Sequence, residues 1–202
     1  MEHIKDKPKK IKKDFSPKDA VFVFSSFTFV CVAVIFVLIV YDVFTVQNFL
    51  SFDQPSRMIG SVVLAAFGLL LFGVILTLLI PSKYIDETNN SYQNYSLLGI
   101  IAFMLIGALF EEILFRGIIQ NLLLVLLENE WMAIIITTLL FLGMHTQYFK
   151  KPIMLINITI PSVIFGWIYF DTNNILVPFL VHFLMNIGMT LLFKYNLISV
   201  KR

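Results

Sequence analysis

Long apolar runs alternate with short polar connectors along this chain. An apolar stretch of about 20 residues can cross the hydrocarbon core of a bilayer as a helix. Polar connectors such as PSKYIDETNNSYQNY at 81–95 and DTNN at 171–174 separate the runs, and no internal repeat is visible. The pattern predicts an all-α, polytopic membrane helix bundle of about six transmembrane helices, with spans at 21–46, 58–80, 97–127, 131–147, 153–170 and 175–193.

The composition favours a membrane protein over a soluble domain. Of the 202 residues, 58% are hydrophobic and 14% are charged, whereas soluble domains carry about 25% charged residues. The lone Cys31 allows no intramolecular disulfide and no CxxC metal site. We expect an integral, multi-pass protein in contact with the lipid bilayer. The basic N-terminal segment and the compact size indicate a bacterial cell membrane.

Basic residues are distributed unevenly between the two sides of the predicted bundle. Seven of the first 18 residues are lysines. A basic flank before a first transmembrane helix explains them better than a nucleic-acid-binding arm, so we expect no nucleic-acid partner. With the N-terminus inside, thirteen of the 15 lysines and arginines lie on the cytoplasmic side, and the outside connectors hold only Arg57. Both termini are predicted to be cytoplasmic, and the first run to be a retained anchor rather than a cleaved signal.

The third run is too long for a simple crossing. Its 31 residues would extend roughly 46 Å as a helix, against a hydrocarbon core of about 30 Å. The run can tilt, protrude, or break after Arg116-Gly117 into a second helix, and the sequence leaves these alternatives open.

This same run carries three charged side chains, Glu111, Glu112 and Arg116. An ionised group at bilayer depth costs roughly 2.5–3.5 kcal/mol on insertion scales, so such residues usually serve a function. Glu112 and Arg116 are four residues apart and can form an ion pair on one helix face. Glu111 is rotated by about 100° from Glu112 and is free to face elsewhere.

Two histidines within the later runs complete a candidate site. His145 follows Phe141 by four residues, and His182 precedes Asn186 by four, so each pair shares a helix face. The third and fourth runs are joined by only three residues, and counting from that turn places Glu112 and His145 at nearly the same depth. We therefore expect the carboxylates, imidazoles, amide and guanidinium to converge in an intramembrane cavity that opens toward the cytoplasm.

These groups are the components of a hydrolase. A carboxylate can act as general base for water, an imidazole can share that water or bind a metal, and His and Asn can stabilise an oxyanion. No Ser–His or Cys–His nucleophile pattern is present, and HExxH is absent.

Three motifs occur in a recognisable order. They are EExxxR at 111–116, FxxxH at 141–145 and HxxxN at 182–186. In order and spacing they resemble the CPBP family of CAAX proteases and bacteriocin-processing enzymes, also called the Abi family, over roughly residues 97–193. The resemblance divides the chain into a basic cytoplasmic segment (1–20), two N-terminal transmembrane helices with connectors (21–96), a catalytic helical core (97–193) and a cytoplasmic tail (194–202).

The resemblance implies an intramembrane endopeptidase and a role for each motif residue. Glu111 would activate water, which His145 would hold with it, and His182 and Asn186 would stabilise the oxyanion. Glu112 and Arg116 would support the site as a structural ion pair, and Phe141 would pack beside it. If a metal is used, zinc held by His145, His182 and Glu111 is the expected form. We expect no obligatory metal, because no spacing demands one.

Other interpretations remain beside the protease. The expected substrate is a peptide precursor, such as a bacteriocin leader, or a small membrane protein, and the oligomeric state is left open. A non-proteolytic scaffold, immunity protein or regulator of the same fold is the main alternative, and an ion path is a third. Gln147 and Asn157 are interpreted as helix-packing polar groups, and aromatic belting explains Trp167 and Tyr169 as well as substrate contact does.

Overall fold

The computed structural model describes residues 17–81 and 95–198. Within these ranges the chain forms six helices, namely α1 (Pro17–Val40), α2 (Pro55–Leu79), α3 (Leu97–Leu127), α4 (Glu130–Met144), α5 (Pro152–Thr172) and α6 (Leu176–Lys194). The predicted polytopic helix bundle is thereby confirmed. Most of the predicted N-terminal segment, most of the α2–α3 connector and the end of the predicted tail lie outside the described residues.

Five of the six helices are long and apolar enough to span a membrane, and α4 is the exception. Its 15 residues extend about 22 Å, which is short of the hydrocarbon thickness of about 30 Å. The predicted fourth span reached residue 147, but the helix ends at Met144 and a short 3₁₀ turn, Thr146–Tyr148, follows. The first helix likewise ends at Val40, because Asp42 adopts a left-handed conformation with φ 56°.

The long third run is a single continuous helix. Its first part, Leu97–Glu112, and its last part, Asn121–Leu127, are α-helical, and a π-helical segment, Ile113–Gln120, joins them. Of the alternatives that the sequence left open, a break after Arg116-Gly117 is therefore wrong. The wider π turn accommodates the length within one helix.

α3 lies at the centre of the bundle. It packs against α1 on one side and against α4, α5 and α6 on the others, while α2 packs against α5 and α6. An apolar core joins α2, α5 and α6, formed by Leu69, Phe165, Ile168, Val177 and Val181. The outer face of α1 exposes large apolar side chains, as expected of a lipid-facing surface in an integral membrane protein.

The two connectors at the predicted outer end are fastened to each other. Leu50 forms an isolated antiparallel bridge with Asn174. The backbone N–H of Ser51 donates to the Asn173 carbonyl at 3.0 Å, and that of Ile175 donates to the Phe49 carbonyl at 2.8 Å. These bonds fix the start of α6, and with it the level of the residues that α6 contributes to the site.

Arg57 is the one basic side chain that the charge pattern places in an outside connector. Its guanidinium forms an ion pair with Asp171 and donates hydrogen bonds to both carboxylate oxygens. This exception to the charge bias is therefore neutralised locally.

Gly166 of α5 allows close packing against α3 and α4. A Cβ atom at this position would lie 2.8 Å from the Gln120 Oε1 atom and 3.2 Å from a methyl carbon of Ile134. We predict that Gly166→Ala destabilises the protein by about 1–3 kcal/mol, the usual cost of overpacking. The matched control is Gly68→Ala, because nothing lies within 4 Å of a Cβ at that helical position. Thermal unfolding in detergent measures both variants, and equal unfolding temperatures would contradict the predicted packing.

The helix order places the α3–α4 connector and the end of α6 at opposite ends of the bundle. In a Cys31→Ser background, we predict that Glu128→Cys reacts with a membrane-impermeant maleimide on intact cells. Asn196→Cys should react only after permeabilisation, because the charge bias predicts a cytoplasmic C-terminus. The reverse labelling pattern would show that the predicted orientation is wrong.

Candidate active site

One cavity collects the four residues that the sequence nominated for catalysis. It has a volume of about 380 Å³ and lies between α2, α3, α5, α6 and the chain that follows α4. Glu111, His145, His182 and Asn186 all line it. The rest of its wall is largely apolar, formed by side chains that include Leu69, Phe72, Leu76, Phe103, Met104, Met154, Ile158, Met185, Met189 and Phe193.

The early end of α4 sets the position of His145. Because α4 ends one residue earlier, His145 lies in the non-helical chain rather than on a helix face, with φ −102° and ψ 45°. Non-helical backbone at membrane depth is tolerated where it lines a cavity. The His145 Nδ1–H donates to the Phe141 carbonyl at 2.8 Å. A carbonyl accepts only, so this bond leaves the Nε2 atom of the neutral ring with a free lone pair.

The π-helical segment of α3 brings four polar side chains to the buried side of that helix. A π turn is wider than the 3.6 residues of an α turn, so residues four and five apart can share one face. Glu112, Arg116 and Gln120 have no exposed surface, and Asn121 is 5% exposed. Glu111 is turned away from this face, and its side chain is 26% exposed at the cavity.

His182 lies between the two carboxylates. Its Nδ1 atom is 2.8 Å from the Glu112 Oε1 atom, and its Nε2 atom is 3.8 Å from the Glu111 Oε2 atom. The Phe165 ring stacks on the imidazole, with 4.9 Å between centroids. The ring plane of His182 is therefore held from two directions.

Arg116 is held by α3 and α5 together. Its Nη1 atom is 3.3 Å from the Glu112 Oε1 atom, which is the ion pair that the spacing of four residues predicts. Its Nη2 atom donates to both the carbonyl and the hydroxyl of Ser162 at 2.9 Å. The guanidinium also lies over the rings of Phe141 and Phe165, 5.5 and 5.4 Å from their centroids.

Two further polar contacts continue this α3–α5 interface. The Gln120 amide donates to the Gly166 carbonyl at 2.9 Å, and the Asn121 amide donates to the Tyr169 hydroxyl at 2.6 Å. The Tyr169 hydroxyl in turn donates to the Asn48 carbonyl at 2.6 Å. Tyr169 is only 1% exposed, so the aromatic-belt interpretation is wrong for this residue, whereas Trp167 is 49% exposed.

The structure changes the interpretation of two other polar residues. Gln147 and Asn157 line the cavity instead of serving only helix packing. Asn157 lies four residues before Pro161, which is buried inside α5. A proline has no N–H and displaces the carbonyl four residues earlier, so the helix loses a hydrogen bond at Asn157. Polar groups therefore extend along the cavity wall beyond the three motifs.

Phe141 lies beneath the site as packing. It is 6% exposed, meets the Phe115 ring edge-on with 4.9 Å between centroids, and contacts the His145 ring at 4.5 Å. Phe141 also lines the cavity, and its role as a supporting residue stays a prediction.

The side chains expected to hold zinc do not form a complete ligand set. Structural and catalytic zinc sites use at least three protein ligands close together. Within residues 17–81 and 95–198, no group of three or more His, Cys, Asp or Glu side chains is arranged to hold a metal ion. His145, His182 and Glu111 therefore do not fit a three-ligand zinc site.

Comparison with known proteins agrees with the motifs. Residues 93–188, which contain every motif residue from Glu111 to Asn186, match a family model described as type II CAAX prenyl endopeptidase Rce1-like. The uncharacterized protein YpbD of Bacillus subtilis (strain 168) is 30% identical over 109 residues, which are 52% of this chain and 53% of YpbD. The chain thus spans about half the length of that curated relative. No solved structure matches.

A membrane helix bundle with Glu111, two histidines and an asparagine around one internal cavity is similar to the CAAX-type intramembrane proteases. More specifically, residues 93–188, just under half of the chain, are similar to the Rce1-like family. The resemblance that the three motifs indicate is confirmed.

The stability of the protein should depend strongly on both partners of the Glu112–Arg116 ion pair. Removing one partner of a buried ion pair leaves an uncompensated charge and costs about 3–5 kcal/mol. We predict a loss of this size for Arg116→Leu, and partial recovery in Glu112→Gln/Arg116→Leu, measured by thermal unfolding in detergent. If the double variant is as unstable as the sum of the two single variants, the side chains are not coupled in this way.

Proposed function

We propose that this chain is an intramembrane endopeptidase that hydrolyses a peptide bond in a peptide precursor or a membrane-associated protein. The observation that carries the proposal is the convergence of Glu111, His145, His182 and Asn186 on one cavity. These residues come from three separate parts of the chain and share no packing role that would require them to meet.

Glu111 is the general base of the proposed reaction. It is the carboxylate whose side chain reaches the cavity, whereas Glu112 has no exposed surface. Glu111 accepts a proton from a water molecule, and the resulting hydroxide attacks the carbonyl carbon of the peptide bond. A positioned general base contributes about 10²–10⁴-fold to a rate.

His145 holds the attacking water together with Glu111. Its Nδ1–H is bound to the Phe141 carbonyl, so its Nε2 lone pair is available to accept a hydrogen bond from water. Two acceptors on one water molecule direct its oxygen lone pair away from both of them and toward the substrate.

His182 and Asn186 stabilise the oxyanion that forms on the carbonyl oxygen. One oxyanion donor is worth about 10²–10³-fold in rate. When the C–N bond breaks, the proton on Glu111 passes to the leaving amine. The products are a free carboxylate and a free amine, and the enzyme returns to its starting state.

The cavity also supports the proposed substrate class. Its wall combines polar groups around Glu111 with many large apolar side chains, and it extends along α6 from His182 to Phe193 near the predicted cytoplasmic end. An extended peptide with apolar side chains, entering from the cytoplasmic surface, fits this lining. We therefore propose substrates that are cut close to the cytoplasmic face of a bacterial cell membrane.

The proposal predicts new peptide N-termini that depend on Glu111. Mass spectrometry of membrane fractions should detect these N-termini in cells that express wild type. Their abundance should fall at least about 100-fold in cells that express Glu111→Gln or His145→Ala. Glu130→Gln is the matched control, because it makes the same chemical change on an exposed carboxylate at the start of α4.

The comparison of wild type with Glu111→Gln also distinguishes a protease from a non-proteolytic scaffold. Identical N-termini in wild type and Glu111→Gln would contradict the proposed mechanism. If Glu111→Gln also preserves the cellular phenotype, the chain acts as a non-proteolytic binding protein.

A further inference from the structure

The contact between Glu112 and His182 is not explained by the ion pair with Arg116. Glu112 has no exposed surface, so it touches neither water in the cavity nor a bound peptide. Its Oε1 atom is nevertheless 2.8 Å from the Nδ1 atom of His182, a residue 70 positions away on another helix. This contact connects the buried Glu112 to a residue that lines the cavity.

Arg116 determines where the proton lies in the contact between Glu112 and His182. The same Oε1 atom of Glu112 also lies 3.3 Å from the Nη1 atom of Arg116, and a guanidinium is always a donor. The Oε1 atom of Glu112 therefore accepts from Arg116. The hydrogen atom between Glu112 and His182 belongs to the Nδ1 atom of the imidazole.

Fixing the proton on Nδ1 determines what Nε2 presents to the cavity. The Nε2 atom points toward Glu111, 3.8 Å from its Oε2 atom. Phe165 stacks on the ring from α5, and its face restricts tilting of the imidazole. A flipped ring would place carbon atoms against both carboxylates, so the observed orientation is the one that satisfies Glu112 and faces Glu111.

We propose that Glu112 is a positioning residue, whose carboxylate holds His182 in the Nδ1–H tautomer and directs Nε2 to the reacting peptide. This inference rests on the proposed peptidase function. It gives Glu112 a task beyond neutralising Arg116.

The orientation has a chemical consequence for the proposed reaction. The proton that Glu111 takes from water can pass to Nε2, which then donates a hydrogen bond to the oxyanion. The imidazolium so formed lies between two carboxylates, and with Arg116 the four side chains sum to zero net charge. As the C–N bond breaks, the proton returns from Nε2 by way of Glu111 to the leaving amine. Glu112 therefore stabilises the charged ring as a triad aspartate does.

The test reads the tautomer directly and needs no substrate. Purified protein with ¹⁵N-labelled histidine, in detergent micelles, is measured by multiple-bond ¹H–¹⁵N correlation, which distinguishes protonated from unprotonated ring nitrogens. The chain has three histidines, and a His182→Asn spectrum assigns the signals of His182 by their absence. In wild type we expect Nδ1 of His182 to be protonated.

The double variant Glu112→Leu/Arg116→Leu, which removes both members of the ion pair, should move the proton to Nε2, because Nδ1 then loses its acceptor while the Glu111 carboxylate still faces Nε2. Gln120→Leu is the matched control. It removes another buried polar contact of the α3–α5 interface without touching His182, so it should lower the unfolding temperature and keep the Nδ1–H tautomer.

Two results would overturn the inference. One is an unprotonated Nδ1 of His182 in wild type, a reading that stands even if the double variant does not fold. The other is a folded Glu112→Leu/Arg116→Leu protein whose His182 keeps the wild-type tautomer. Either result is independent of whether wild type cleaves peptides, so failure of this inference is distinguishable from failure of the proposed function.

Discussion

The burial of an ionised cluster inside an apolar bundle is the constraint on which the rest of this structure depends. Glu112 and Arg116 have no exposed surface, and Arg116 bonds to Ser162 of α5 as well as to Glu112. Charges at bilayer depth are tolerated only when they are paired and hydrogen-bonded. Three features provide this pairing. They are the π-helical segment of α3, its contact with α5 through Arg116 and Ser162, and the position of His182 beside Glu112.

Two irregularities of the helices create the site. The π-helical segment of α3 collects its polar side chains on the face toward α5 and leaves Glu111 directed to the cavity. The short α4 ends before it could cross the membrane, which leaves His145 in non-helical chain within the bundle. Both departures from regular geometry therefore shape the lining of the cavity.

The sequence predicted the order and number of the helices, because a helix that crosses the hydrocarbon core needs about 20 consecutive apolar residues. It also predicted that Glu111, His145, His182 and Asn186 would meet in the cavity. The prediction that Glu112 and Arg116 line the same cavity is wrong, because both are fully buried between the helices, and His145 lies in non-helical chain rather than on the predicted helix face. It did not predict the π segment, since this depends on packing of α3 against α5. The role of Tyr169 was missed because its position near a helix end also suits an aromatic belt. The Glu112–His182 contact joins residues 70 positions apart, and no local pattern encodes it.

We propose that a water molecule activated by Glu111 cleaves a peptide bond inside this bundle. Hydrolysis by purified protein in lipid nanodiscs, with a synthetic peptide that spans a cleavage point found in cells, tests this reaction directly. The account predicts two fragments whose masses sum to that of the peptide plus one water, formed by wild type and not by Glu111→Gln. An intact peptide with wild type, or equal cleavage by the variant, would contradict it.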